Sequence, residues 1–248
     1  LSDISITALN QWLVDQRAAS RANATINHHL RAVKSLCGWL FKQKRMTENP
    51  LAFVSLLNAK ADRRYERHAY TVDELGRLLA AAQGGAVVHG MTGSDRALLY
   101  RAAVETGFRW SELRSLTRAS FNFQSTPPAV TITASDAKNG REETLPLRPE
   151  LAADLKARMA LFLPGAKAFP GMWADKGAEM IRADLETAGV LSRDEAGDLV
   201  TVDDAGCTYD FHGLRHTFAT LGAKAGIPLA VMQKLMRHSD PKLTAGIY

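Results

Sequence analysis

With 248 residues, 46% hydrophobic content and a net charge of +5, the chain has the makeup of a soluble globular protein long enough for one large domain or two modest ones. No stretch approaches the roughly eighteen uncharged apolar residues of a membrane helix, and the N-terminus carries no signal-peptide pattern, which argues against membrane and secretion and predicts a cytoplasmic protein. Cys37 and Cys207 are isolated, so neither a disulfide framework nor a paired Cys/His metal site is expected, and two thiols fit a reducing compartment.

The positive charge is concentrated at the front: residues 1–68 hold eleven Lys/Arg against five Asp/Glu, and the remainder holds twenty against twenty-one. Residues 6–20 and 23–45 read as amphipathic helices; in the second, Ile26, Leu30, Val33, Leu36/Cys37 and Leu40/Phe41 keep the helical period. No acid occurs between Asp15 and Glu48, so this segment presents a positive field suited to a phosphate backbone, with Arg31, Lys34 and Lys42 as candidate contacts. Asn49-Pro50 breaks the pattern before a short apolar turn at 51–57. Lys60, Arg63, Arg64, Arg67 and His68 follow with little to bury. Residues 63–70 are therefore read as a basic linker between a domain at 1–62 and another at 71–248, and Arg63 and Arg64 as further candidate DNA contacts.

Thr71-x-x-Glu74 matches a capping box opening a helix through 82. Glycines 84, 85, 90 and 93 punctuate a loop, after which 95–105 reads as a buried helix. In Thr106-Gly-Phe-Arg-Trp-Ser-Glu-Leu, Gly107 ends that helix and 110–116 starts another, leaving Arg109 at the corner, where it can reach into a cleft. Glu112, three residues on, can fix the guanidinium's direction; an ordinary surface ion pair is the plainer alternative. Segments 119–123, 129–134 and 143–147 predict a small antiparallel sheet, with Asn139-Gly140 as a tight hairpin and Lys138 at its tip. Residues 149–162 and 173–188 read as helices. The acidic stretch 189–209 is turn-rich; 199–202 and 207–209 can pair, and Asp194, Glu195, Asp203 and Asp204 read as solvated loop acids, not metal ligands.

Near the C-terminus, Phe211, Leu214, Phe218, Leu221 and Ala225 form an apolar stripe ending at Gly226, with His212, Arg215 and His216 on the flank of the same helix just outside it. Pro228 suits the first turn of a second helix carrying Leu229, Met232 and Leu235, which delivers Arg237 and His238 at its C-terminal end. Tyr248 follows ten residues after His238. The two helices also fit a helix-turn-helix, whose second helix reads the major groove, and a lone His on such an edge is ordinarily solvated.

Taken together, His212-x-x-Arg215-His216, His238 and a Tyr ten residues on resemble the C-terminal signature of the tyrosine recombinases, the phage-integrase family. Arg109 in a Thr-Gly-hydrophobic-Arg context, Glu112 three residues later and Lys138 in a hairpin between the two blocks extend the resemblance over nearly the whole chain. It implies a mostly α fold with a small antiparallel β-sheet, a helical core-binding domain followed by an α+β catalytic domain, the two clamping duplex DNA. It further implies that Tyr248 attacks the scissile phosphate to form a 3′-phosphotyrosine, that Arg109 and Arg215 grip that phosphate, and that His212 is the base. Lys138 would be the general acid and His238 a donor to a phosphate oxygen, with Glu112 and His216 in supporting positions.

Fixed guanidiniums suit this chemistry because they stay protonated and grip phosphate oxygens in two places; no metal, ATP or other cofactor is implied. The resemblance also implies a bacterial or phage-encoded protein that is a monomer without DNA and a homotetramer in a synaptic complex that passes through a Holliday junction. Two departures stand out: Arg237 occupies a position where many members have Gly, and the sequence begins at Leu1 and stops at Tyr248, as expected of a segment cut from a longer chain, with an N-terminal arm-binding domain as one missing part. Two other readings compete. A non-catalytic helix-turn-helix regulator explains the charge but not the six residues in order; a type IB topoisomerase shares the chemistry but only relaxes supercoils.

Overall fold

Helix formation in the first sixty residues follows the apolar spacing, but burial is narrower than the spacing suggests. In the computed structural model, which describes residues 4–238 and 240–246, the chain separates into two compact units, residues 1–66 and 67–248. In the first, α1 (Ile6–Ala18) is capped by the Ser5 hydroxyl, which accepts from the Ala8 amide at 3.1 Å. Its apolar residues Leu9, Trp12 and Leu13 are only half-buried. Helix α2 (Asn23–Lys42) buries Ile26, Leu30, Cys37 and Leu40, while Val33, Leu36 and Phe41, assigned to the same face by periodicity, are exposed. Asn27 exchanges two hydrogen bonds with the backbone of Leu57, both at 2.8 Å, fixing the returning segment against α2.

The second unit is built around α4 (Gly93–Thr106), which is buried on nearly every side and so lacks a clean amphipathic pattern. Before it, α3 (Val72–Gly84) opens with the expected capping box: the Thr71 amide donates to Glu74 at 2.7 Å and the Glu74 amide donates to the Thr71 hydroxyl at 3.2 Å. After it come α5 (Trp110–Ser115), α6 (Pro149–Arg158) and α7 (Trp173–Thr187). Arg96 on α4 meets the Asp184 carboxylate on α7 with two hydrogen bonds of 2.8 and 2.9 Å, and the Tyr100 hydroxyl donates to the same carboxylate at 2.7 Å. All three side chains are buried, so each polar group spends its bonding capacity inside the core. Gly177 lets α7 pass directly beneath Trp110, whose ring would lie 1.5 Å from an added Cβ.

The antiparallel sheet has the order β1 (Phe121–Asn122), β2 (Ala129–Ile132), β3 (Glu143–Pro146), with Val130 opposite both Phe121 and Leu145. Phe121, Val130 and Ile132 face the core. The strands are shorter than their β-branched pattern predicts, and Asn139-Gly140 does not form a two-residue hairpin. Pairing stops at Ile132 and resumes at Glu143, leaving residues 133–142 as a loop. Thr133 starts a local turn by accepting the amides of Asp136 and Ala137, and Asn139 spends its side chain on Glu143 and the Arg141 amide. These local bonds compete with strand pairing, and Lys138 lies within the loop, not at a tight tip.

Helix α6 stops at Arg158, four residues short of expectation, and Leu161 beyond it is exposed. In the acidic stretch, 201–209 does fold back: the Tyr209 amide donates to Thr201 and the Asp203 amide to Cys207, both at 2.9 Å. The chain closes with α8 (His212–Lys224), α9 (Leu229–Leu235) and α10 (Lys242–Ala245). No helix among the described residues is long and apolar enough to cross a membrane.

Candidate active site

The end of α4 sets the site. Gly107 stops the helix in the left-handed conformation, φ +61°, with the Phe218 ring 2.4 Å from where a Cβ would stand. The turn leaves the Gly107 carbonyl without a helical partner and pointing at two guanidiniums: Arg215 Nη1 donates to it, and Arg237 Nη2 does so at 3.2 Å. Phe108 is buried, and Arg109 occupies the N-cap of α5.

At that cap Glu112 reaches back, as a carboxylate three residues into a helix does. Its Oε2 accepts the Arg109 amide at 2.7 Å and its Oε1 accepts Arg109 Nη1 at 2.6 Å. Arg109 Nη2 donates to the Arg237 carbonyl at 3.2 Å, and Arg215 Nη2 donates to the adjacent Met236 carbonyl. Arg109 and Arg215, more than a hundred residues apart in sequence, therefore converge on the backbone corner at 236–237, and Arg215 also reaches the Gly107 carbonyl two positions before Arg109. Glu112 is 1% exposed, Arg215 3%, and the Arg109 side chain 19%, so Arg109 keeps the most solvent-facing guanidinium of the group.

The electrostatics follow from this packing. Burial pushes the Glu112 carboxyl up, but the Arg237 charge and the Arg109 amide and guanidinium outweigh it, and its pKa lies below the usual carboxylate value. Burial and the charges of Arg109 and Arg237 push Arg215 down to about 9, against Glu112, which raises it. Two guanidiniums bond one buried carboxylate and Arg215 feels only its field, so the cluster carries surplus positive charge and gains from a bound anion.

Arg215 is not on a polar edge beside an apolar stripe. The face of α8 that is buried carries Leu214, Arg215, Thr217, Ala219 and Gly222, whereas Phe218 and Leu221 are half-buried and Ala225 is exposed. The buried guanidinium is tolerated because carbonyls at the ends of α4 and α9 accept from it. His212 opens α8 half-buried; burial first, then the Arg67 and Arg215 charges, pull its pKa from 6.5 to about 4, against Asp210. His238 follows α9, with Nδ1 2.8 Å from the Thr244 hydroxyl of α10 and its carbonyl accepting from Gln233 Nε2 at 3.1 Å. Burial, then Arg215, Arg109, Arg237 and His212, pull it to about 4 as well. Both imidazoles are thus neutral near pH 7. His216 lies half-buried one turn beyond His212.

His238 and Arg237 border a cavity of about 660 Å³ whose other walls include Gln233 and Lys234 of α9 and Asn139, Arg141 and Glu143 of the 133–142 loop region. Lys138 is exposed in that loop and makes no hydrogen bond or ion pair among the described residues, so the structure brings its loop, but not its ammonium, to the cluster. Tyr248 lies outside the described residues. Helix α9 buries Met232 against Ala219 and Gly222 of α8 and exposes Leu229 and Val231, an apolar outer face unlike a groove-reading helix.

In the first unit Arg31 and Lys42 are exposed. Lys34 donates instead to the carbonyls of Leu51 and Val54, Arg63 pairs with Glu66 at 3.1 Å, and Arg64 binds Asp62 and the Ser20 carbonyl. The sequence marked Arg237 only as standing where many members have Gly; in the structure it is buried, ion-paired to Glu112 at 2.8 Å, and stacked 4.6 Å above Phe108. Nothing in its sequence context marks it as buried.

Comparison with known proteins agrees with this geometry. Residues 69–248 match the family model described as the phage integrase family. The tyrosine recombinase XerC of Mycobacterium sp. (strain KMS) is 28% identical over 244 residues, covering 96% of this chain and 76% of the relative. The Tn1549 transposon integrase, solved in complex with transposon right end DNA, superposes with a TM-score of 0.72 at 19% identity over 99% of this chain and 81% of its own. A lambda integrase tetramer bound to a Holliday junction superposes with a TM-score of 0.68 at 16% identity, over 99% and 65% respectively. The mostly helical fold, the small sheet and the family match together establish that this chain belongs to the phage integrase family, the tyrosine recombinases.

Proposed function

We propose that this tyrosine recombinase cuts and rejoins duplex DNA at a specific site through a 3′-phosphotyrosine intermediate, with Arg109 and Arg215 holding the scissile phosphate. The observation that carries the reading is their convergence on the 236–237 backbone corner, with Glu112 fixing Arg109, the Gly107 carbonyl fixing Arg215 and positive charge to spare. A phosphodiester under attack accumulates charge on its non-bridging oxygens, and pre-placed guanidiniums stabilise that charge without reorganising.

The Tyr248 phenol oxygen attacks phosphorus while the bond to the 5′ oxygen breaks. His212, neutral and beside Arg215, takes the phenolic proton; the arriving phosphate charge offsets the arginines that hold its pKa down and so favours the imidazolium. Lys138 swings from its loop to protonate the departing 5′ oxygen, and His238, fixed by Thr244 through Nδ1, donates from the other ring nitrogen to a phosphate oxygen. Attack of a 5′ hydroxyl on the phosphotyrosine reverses the step and joins a new strand, so the energy of the broken bond is conserved. His216 supports α8 beside Arg215.

Residues 1–62 serve as a core-binding domain and 63–70 as a linker. Exposed Arg31 and Lys42 contact phosphates, while Lys34, Arg63 and Arg64 add to the field although their donors are partly engaged within the unit. A homotetramer assembling on DNA from monomers is the oligomer this reading requires; the lambda integrase tetramer on a Holliday junction supports it by likeness of fold.

The test selects cleaved duplexes from a randomised pool, then incubates the recovered site, nicked near the cut, with protein. A denaturant-resistant adduct is expected, absent in Tyr248→Phe and slowed by about 10²–10³ in Arg215→Ala, the loss seen for a single charge-stabilising donor. An undiminished adduct in Tyr248→Phe would refute the nucleophile; full cleavage by Arg215→Ala would refute the phosphate grip. Sedimentation with and without that duplex checks the assembly.

A further inference from the structure

We propose that Arg237 is a positioning residue for this reaction, tying together the three segments that carry Arg109, Lys138 and His238. The proposal rests on the function proposed above. Four observations converge on it. Nη2 donates to Glu112 Oε2 at 2.8 Å and to the Gly107 carbonyl at 3.2 Å, which joins Arg237 to the corner holding Arg109. The Arg237 carbonyl itself accepts from Arg109 Nη2 at 3.2 Å, so residue 237 meets Arg109 directly through its backbone and indirectly through the Glu112 carboxylate. Nη1 closes the end of α9 on the Leu235 carbonyl at 2.9 Å, immediately before His238. Nε faces Glu143 at 4.0 Å, and Glu143 accepts from Asn139 Nδ2 at 2.6 Å, which reaches the loop of Lys138.

The side chain is not placed to bind phosphate. Both terminal nitrogens are committed to protein oxygens, the stack on Phe108 covers one face, and Nε is buried with no hydrogen-bond partner among the described residues. Its backbone sits at φ +52°, a conformation that is strained for a non-glycine residue and persists only where the surroundings over-determine it.

The consequence for Arg109 is electrostatic as well as geometric. Glu112 divides its charge between two guanidiniums, so Arg109 is held in direction yet only partly neutralised and keeps positive charge for the substrate. Without Arg237, Glu112 would pair with Arg109 alone, and the loop end at Glu143 would lose its cationic neighbour.

Two measurements test this, and one does not need DNA. In single-turnover cleavage of the selected nicked duplex at saturating concentration, Arg237→Gln and Arg237→Gly should each be about tenfold to a hundredfold slower, with DNA affinity near wild type, as expected when a catalytic group is misplaced and not deleted. Arg237→Lys should recover part of the rate, since an ammonium can still meet Glu112. The Gly variant removes the backbone strain along with the guanidinium; if it cleaves like wild type, backbone geometry is all that matters and the proposal fails.

Amide hydrogen exchange on the free full chain gives the second measurement. Arg237→Gln should speed exchange in both 139–143 and 235–238 while α4 stays protected. Unchanged exchange in those two segments would overturn the tie even if cleavage fell. Absence of any Tyr248-dependent adduct in the wild type would refute the proposed function and with it the positioning of catalytic groups by Arg237, leaving exchange to decide whether the three segments are joined.

Discussion

Replacing Glu112 with Gln keeps the side chain's size and removes its charge, and it isolates how the arginine cluster is held. The carboxylate is 1% exposed and meets Arg109 at 2.6 Å and Arg237 at 2.8 Å. Breaking a desolvated pair by removing one partner ordinarily costs about 3–5 kcal/mol, and since Arg109 retains some solvent and the amide oxygen still accepts one bond, about 3 kcal/mol is expected. For a unit of this size that corresponds to a fall in Tm of roughly 6–12 °C. The assay is thermal unfolding with and without inorganic phosphate. Three guanidiniums without their carboxylate gain more from an anion than the wild-type cluster does, so phosphate should narrow the deficit, with about 2.7 kcal/mol available to a ligand at a hundred times its Kd.

The pH dependence of this effect has a definite sign. The folded pKa of Glu112 is depressed, so its contribution is complete above the carboxylate's ordinary value of 4.5 and is lost as pH falls through the folded value; the wild-type and Glu112→Gln curves should converge in acid. A loss under about 1 kcal/mol, or a deficit that phosphate leaves unchanged, would refute the account of a carboxylate balancing a cationic anion site.

Three further outcomes are expected. His212 and His238 have pKa values pulled from 6.5 to about 4, so the stability they contribute as neutral groups is present above pH 6.5 and lost as pH falls toward 4; denaturant unfolding across that range should show a shallower pH dependence in a His212→Asn/His238→Asn variant. Gly107→Ala should destabilise the protein by about 2 kcal/mol or more, from the left-handed backbone and the Phe218 ring 2.4 Å from the new Cβ, as read from urea unfolding. Lys138→Ala should leave stability within about 0.5 kcal/mol because the side chain is exposed. It should nevertheless slow cleavage by about 10²–10⁴, and a substrate with sulfur in place of the 5′ bridging oxygen, which leaves without protonation, should restore the rate.

What was legible in the sequence was whatever is encoded locally. The Thr71/Glu74 capping box, the break at Gly107 with Arg109 at the following helix start, and the α8–Gly226–α9 connection each depend on residues within a few positions of one another, so residue type and spacing suffice to place them. The ordered appearance of Arg109, Lys138, His212, Arg215, His238 and Tyr248 pointed to the family for a similar reason: it is a linear pattern.

Burial and long-range partnership were decided only in three dimensions. Arg215 read as a residue on a polar edge, yet the ends of α4 and α9 offer it carbonyls, and an inward guanidinium became affordable. The Asn139-Gly140 pair predicts a tight turn, but side-chain bonds from Thr133 and Asn139 hold a longer loop open. Arg237 carried no local mark at all, because what fixes it is Glu112, 125 positions earlier, and the Phe108 ring beneath it. Periodicity reports which face of a helix is apolar; which polar groups can be buried depends on oxygens supplied by distant segments, and those are assembled only when the chain folds.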